Sequence, residues 1–146
     1  MRLLFLCTGN YYRSRFAEEY FNHLAKAQDV GWSADSAGLA RDFSKFQNPG
    51  PISFLAVEEL ERRGVVPTRI ERFPRHATEE DFSSFRRIVA LSEAEHRPLM
   101  REHFPRWESA IHYWEVGDIG VQAAKEALES IAWLTLRLVE NLAKGR

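Results

Sequence analysis

The residues best suited to chemistry lie in one short stretch, LLFLCTGNYYRS at positions 3–14. An apolar run ends in Cys7, the only cysteine of the chain. Arg13 follows six residues later, and Ser14 comes directly after it. Between them stand Thr8, Gly9, Asn10, Tyr11 and Tyr12. A thiol acts as a nucleophile in its thiolate form. A loop that turns from strand into helix directs successive backbone N–H groups, and the positive end of the helix, into one concavity. Arg13 adds a permanent forked charge suited to an oxyanion with several equatorial oxygens. Ser14 can donate a hydrogen bond to the sulfur. Together these make a pocket for a tetrahedral dianion with a thiolate at its floor. The competing reading is a buried cysteine at a strand end beside a solvated arginine, since buried free cysteines are common.

Magnitudes show what such a pocket has to do. An ordinary cysteine is only about 3% thiolate at pH 7. Complete ionisation gains roughly thirty-fold, or about 2 kcal/mol. That is small beside the roughly 8–23 kcal/mol by which enzymes lower barriers. The larger part must come from donors oriented around the transferring group.

The elements that position this loop can be read from hydropathy patterns. Residues 2–6 form a short apolar run broken by Gly9-Asn10, which predicts a buried strand. From about Ser14 to Lys26, Phe16, Tyr20, Phe21 and Leu24 share one helical face, with Glu18 and Glu19 off it. Ser14 is a good N-cap residue type. Gly31–Ala37 predicts a second strand, and residues 40–51 carry loop chemistry. A helix begins near Phe54 and stops at Gly64. Arg87–Leu91 predicts a third strand, followed by a helix from Ser92 to about Glu102. Ala110–Tyr113 predicts a fourth strand, and Gln122–Lys144 a long closing helix. Strands alternating with helices imply a parallel sheet covered on both faces. Ligands of such sheets bind beyond the carboxyl ends of the strands. Cys7–Ser14 and Glu115–Gly120 both lie there.

Composition sets the frame. The chain has 146 residues, a length that favours one domain, residues 1–146. A net charge of −1 gives no global field that would favour nucleic acid or an anionic membrane, so neither is an expected partner. One cysteine permits no internal disulfide, and a reduced, cytoplasmic setting is the expectation. The apolar stretch at residues 3–6 is too short for a signal peptide, and no other stretch could span a bilayer. His23, His76, His96, His103 and His112 show no metal-ligand spacing, so neither a metal nor a cofactor is expected. Arg62-Arg63 and Arg86-Arg87 read as solvated faces.

The loop C-T-G-N-Y-Y-R-S resembles the phosphate-binding loop of the low-molecular-weight protein tyrosine phosphatases, C-x-G-N-x-C-R-S after a first strand. Further segments resemble that family in order and spacing. Ser36-Ala37-Gly38 is similar to its S-A-G after the second strand. Ala56-Val57 and Leu60, followed by Gly64, are similar to its second helix. Glu80-Asp81-Phe82 and Ile88–Leu91 are similar to the approach to its third strand. Trp114-Glu115-Val116-Gly117-Asp118 resembles its W-D-x-P-D-P segment. The resemblance implies a single α/β domain with a central four-stranded parallel sheet, helices on both faces and flavodoxin-like layering. It implies Cys7 as nucleophile, Arg13 as phosphate clamp and Asp118 as general acid. Ser14 would stabilise the thiolate. Asn10 would hold a left-handed turn, which Asn tolerates better than most residues. Ser36 would brace Asn10. Thr8, Gly9, Tyr11 and Tyr12 complete the phosphate-binding loop and its support.

The chain also departs from the family pattern. Tyr12 replaces the second loop cysteine, so a protective disulfide with Cys7 is excluded. Leu91-Ser92 stands for M-D, and Arg72 for a histidine that often supports the loop asparagine. Ile119 replaces the proline after Asp118, which leaves open that Asp118 is only a turn aspartate beside Gly117. The aromatic residue that commonly follows is missing from Ile119-Gly120-Val121. Tyr11, Phe43 and Phe46 are candidate pocket walls instead, although the two phenylalanines could equally anchor a loop. Tyr12 could simply fill volume behind the loop. The implied activity is hydrolysis of phosphotyrosine in proteins, or of another phosphomonoester, through a cysteinyl-phosphate intermediate. The alternative is a weakly catalytic relative that holds phosphorylated or other oxyanion ligands in the loop. Arsenate reduction with an external thiol ranks third, because a cysteine relay cannot run on one cysteine.

Overall fold

The computed structural model describes residues 1–116 and 124–145. Four parallel strands form one sheet: β1 (Arg2–Cys7), β2 (Ser33–Gly38), β3 (Arg87–Ala90) and β4 (His112–Tyr113), in the order β2-β1-β3-β4. Around it lie α1 (Arg13–Ala27), α2 (Phe54–Arg62), α3 (Glu79–Ser84), α4 (Glu93–His103) and α5 (Ala124–Lys144). This is the layered α/β architecture expected from the alternation of elements.

β1 is central and loses water from both faces, which is why it reads as an unbroken apolar run rather than an alternation. Successive side chains still point to opposite sides. Leu3, Phe5 and Cys7 join one core with Phe16, Phe21, Ile131 and Val139, from α1 and α5. Leu4 and Leu6 join a second core with Phe82, Met100 and Phe104, from α3, α4 and the residue after α4. After β1 the chain first builds β2 on one flank and later β3 on the other. The reversal opens a crevice at the carboxyl end of β1, where such sheets bind ligands.

Several boundaries differ from the sequence reading. β2 is Ser33–Gly38 rather than Gly31–Ala37, because Gly38 still pairs with Cys7. β3 ends at Ala90, and β4 is only His112–Tyr113. Within 40–51, Phe43–Phe46 form one 3-10 turn, capped by the Asp42 carboxylate, which accepts from Ser44 N–H. Ser14 is not an N-cap: the capping position is Tyr12, and Ser14 is already helical. Its hydroxyl serves the sulfur instead. α3 has too few residues to show periodicity, and its signal is the capping box of Thr78 and Asp81 at its start. The start predicted for α5 at Gln122 lies outside the described residues.

Candidate active site

The carboxyl end of β1 delivers Cys7 to the loop, and α1 begins at Arg13. Cys7 Sγ lies 2.8 Å from Ser14 Oγ and accepts a hydrogen bond from Asn10 N–H at 3.3 Å. With the thiolate form, Ser14 is the donor. Arg13 is 3% exposed, so the reading of a solvated arginine is overturned. The loop floors a cleft of about 300 Å³ through Cys7, Thr8, Gly9, Tyr11, Tyr12 and Arg13, and Phe46, Asn48 and Glu95 wall it.

Asn10 holds the loop together. Its φ of 51° is left-handed. Its side chain uses every donor and acceptor it has. Nδ2 donates to Ser14 Oγ at 2.8 Å and to Ser36 Oγ at 2.9 Å. Oδ1 accepts from Arg72 Nη1 at 3.1 Å and from Arg75 N–H at 3.0 Å. Ser36 and Arg72 therefore both contact the Asn10 side chain. Behind them Glu18 accepts from Ser36 Oγ, Arg72 and Arg69. Glu19 accepts from Thr68 and Arg69 N–H. Both carboxylates were read as lying off the buried face, yet they are 0% and 4% exposed. Arg69 and Arg72 pair the buried Glu18 charge, and the Thr68 hydroxyl with two backbone N–H groups satisfies Glu19, which makes that burial affordable. One signal could have found Glu18: it lies four residues after Ser14, on the same helix face.

This dense satisfaction predicts a large effect at one position. Asn10→Ala leaves buried partners unpaired and puts a Cβ-bearing residue without local hydrogen bonds in the left-handed region. The expected loss is on the order of 3 kcal/mol in urea unfolding. Asn10→Gly accepts the same φ and isolates the hydrogen-bond part. A loss below about 1 kcal/mol in both variants contradicts this account.

The aromatic residues divide. Phe46 walls the cleft, and an added Cβ on Gly9 would lie 3.3 Å from its ring. Phe43 does not line this cleft. It stacks on His76 with ring centroids 4.0 Å apart and seals Gly38, where a Cβ would come within 2.6 Å of its ring. Tyr11 donates to Pro49 C=O at 2.7 Å. Tyr12 does more than fill volume: its hydroxyl donates to Ala124 C=O at 2.6 Å, at the start of α5. Burial pushes the Tyr12 phenol up to about 12, so it stays a donor at neutral pH. Asp118 lies outside the described residues. The exposed Glu115 is bridged through its backbone to Ser92, and Val116 N–H donates to Leu91 C=O.

Sequence reasoning missed Glu95. It sits in the first turn of α4, with Oε2 2.7 Å from Arg13 Nη1 and Oε1 accepting from Thr8 Oγ1 at 3.0 Å. Burial acts to raise its pKa, but the bonds and charge of Arg13, with His96 and Thr8, hold it below the usual carboxylate range. Beside it, His96 is wholly buried, and burial depresses its pKa to about 4. Its unfolded value near 6.5 is higher, so the unfolded chain binds the extra proton first. This part of the stability is present above pH 6.5 and is lost as pH falls toward 4, by roughly 3 kcal/mol. Urea unfolding of the parent and of His96→Gln between pH 7 and pH 4 measures it. Parallel pH curves for the two proteins would contradict the assignment.

Comparison with known proteins agrees with this geometry. Residues 2–116 match the family model for low molecular weight phosphotyrosine protein phosphatases. The human enzyme of that name is 30% identical over 102 residues, 68% of this chain, and the pig enzyme is 33% identical over the same length. The matched part spans 60% of the length of those relatives. A solved low-molecular-weight protein tyrosine phosphatase from T. tengcongensis is 27% identical, with TM-score 0.76 over 97% of this chain and 99% of its own. A mutant of the YwlE arginine phosphatase of Bacillus subtilis, with a phosphorylated active-site serine, shares the fold at 21% identity. Its TM-score is 0.76, over 100% of this chain and 98% of its own. With the family model, the curated relatives and the fold in agreement, the chain belongs to the low-molecular-weight phosphotyrosine protein phosphatase family.

Proposed function

We propose that this chain hydrolyses phosphotyrosine in proteins through a cysteinyl-phosphate intermediate. One juxtaposition carries the reading: a sulfur held by a backbone N–H and a hydroxyl, on the floor of a cleft that also presents Arg13. In the first step the Cys7 thiolate attacks phosphorus and the ester P–O bond breaks. Asp118 gives its proton to the departing phenolate. In the second step water attacks the cysteinyl phosphate, Asp118 takes a proton from it, and the P–S bond breaks to restore the thiolate. Arg13 and the loop's backbone donors meet the charge on the transferring oxygens. The phosphorylated active-site serine of the YwlE mutant supports a covalent route. Tyr11, Tyr12 and Phe46 give the cleft aromatic surface for a phenyl ring.

The test is rapid quenching during turnover of a phosphotyrosine peptide, with mass spectrometry of the peptide that contains Cys7. Phosphate on the sulfur, together with sustained phosphate release, upholds the reading. Faster release from a phosphoarginine peptide would move the substrate class. No release from either, with phosphate protecting Cys7 from iodoacetamide, would turn it to an oxyanion-binding protein.

A further inference from the structure

The carboxylate of Glu95 joins the two ends of the phosphate loop. Thr8 is its second residue and Arg13 its seventh, counted from Cys7, and both reach Glu95. The contact is mostly dry: the Arg13 side chain is 4% exposed and that of Glu95 29%.

The start of α4 explains why this carboxylate is available. Ser92-x-x-Glu95 has the pattern of a capping box, in which the serine accepts from the fourth residue's N–H and the glutamate folds back onto the serine N–H. Half of that box is present, since Ser92 Oγ accepts from Glu95 N–H at 3.3 Å. The other half is taken by His96, whose Nδ1 accepts from Ser92 N–H at 3.0 Å. With its usual backbone partner occupied, the Glu95 carboxylate turns to the loop. The same bond leaves the ring proton of His96 on Nε2, which lies 3.5 Å from Glu95 Oε2. Glu95 thus reaches Thr8 and Arg13 in front, with the His96 ring packed behind it.

A guanidinium grips an oxyanion in bidentate fashion only if the plane of its fork is fixed. We infer that Glu95 is a positioning residue, which straps Thr8 to Arg13 and presents the Arg13 fork to the phosphoryl oxygens in one orientation. The inference rests on reading Cys7–Arg13 as a phosphoryl-binding loop. It assigns the work of holding the clamp to α4, outside the loop itself.

Glu95→Gln keeps the size of the side chain and an acceptor for Thr8 but removes the charge. Its kcat on a phosphotyrosine peptide is expected to fall about 10–100-fold, with a smaller change in KM, because misorientation is felt most in the transition state. Inhibition by orthovanadate should weaken by a similar factor, while thermal unfolding stays close to that of the parent. Thr8→Val removes one strand of the strap and should show a smaller loss of the same kind, which keeps the test alive if Glu95→Gln does not fold. Unchanged kinetics and inhibition would overturn the inference. So would higher activity with tighter vanadate binding, which would make Glu95 a competitor for Arg13. If the parent turns over no phosphate ester, the proposed activity fails on its own. The strap is then judged by inorganic phosphate protecting Cys7 from iodoacetamide. Protection weakened about tenfold in Glu95→Gln upholds it, and equal or stronger protection overturns it.

Discussion

Cys7→Ser is expected to abolish phosphate release from phosphotyrosine, with a fall in kcat of roughly 10⁴–10⁶-fold, the scale seen when a nucleophile is removed. The argument is one of proton affinity. Two donors, Asn10 N–H and Ser14 Oγ, are placed against a sulfur. They can stabilise a thiolate, but a serine hydroxyl at neutral pH remains protonated, and among the described residues no base is hydrogen-bonded to position 7 to take its proton. Oxyanion binding should survive, since Arg13 and the loop's backbone donors are unchanged. Phosphate or vanadate should therefore still raise the thermal unfolding midpoint of Cys7→Ser. Equilibrium binding and turnover are measured on the same preparation. Turnover within tenfold of the parent would remove Cys7 from the role of nucleophile. Loss of turnover together with loss of vanadate binding would show that the substitution had collapsed the loop.

What could be read from the sequence follows the range of the interactions. β1 was legible because both its faces are buried, which leaves an apolar run with little room for misreading. Cys7, Arg13 and Ser14 were legible because their roles depend on spacing within one turn of chain. Ser36 and Arg72 became legible through family resemblance, although they lie 26 and 62 residues from Asn10. Glu95 was not legible, for a specific reason. Its local pattern already had a sufficient explanation as half of a capping box, and only the fold shows that His96 has taken over the backbone contact. Glu18 was misread by a related error. Helical periodicity separates apolar from polar faces, but it cannot tell a charged face in water from one buried against arginines 51 and 54 residues away. Tyr12 belongs to the same class, since its partner at Ala124 is 112 residues distant.

Asp118→Asn is expected to slow hydrolysis of phosphotyrosine by roughly 10²–10⁴-fold and to leave p-nitrophenyl phosphate far less affected. A general acid matters in proportion to the basicity of the oxygen that leaves. The tyrosine phenolate, with a pKa near 10, needs a proton, whereas a nitrophenolate departs readily without one. The described residues that precede and follow 117–123 in the sequence both have fixed partners. Val116 is buried and its N–H is bonded to Leu91 C=O, while the Ala124 C=O accepts from Tyr12 of the phosphate loop. The comparison must be made on the phosphorylation step, by single-turnover release of the alcohol, because Asp118 also assists hydrolysis of the cysteinyl phosphate in the proposed route. Glu115→Gln is the control, three residues earlier on the same stretch. If Glu115→Gln shows the leaving-group dependence and Asp118→Asn does not, the acid is Glu115. Should neither variant slow phosphotyrosine hydrolysis, the proton comes from elsewhere, and the assignment of this loop to acid catalysis fails.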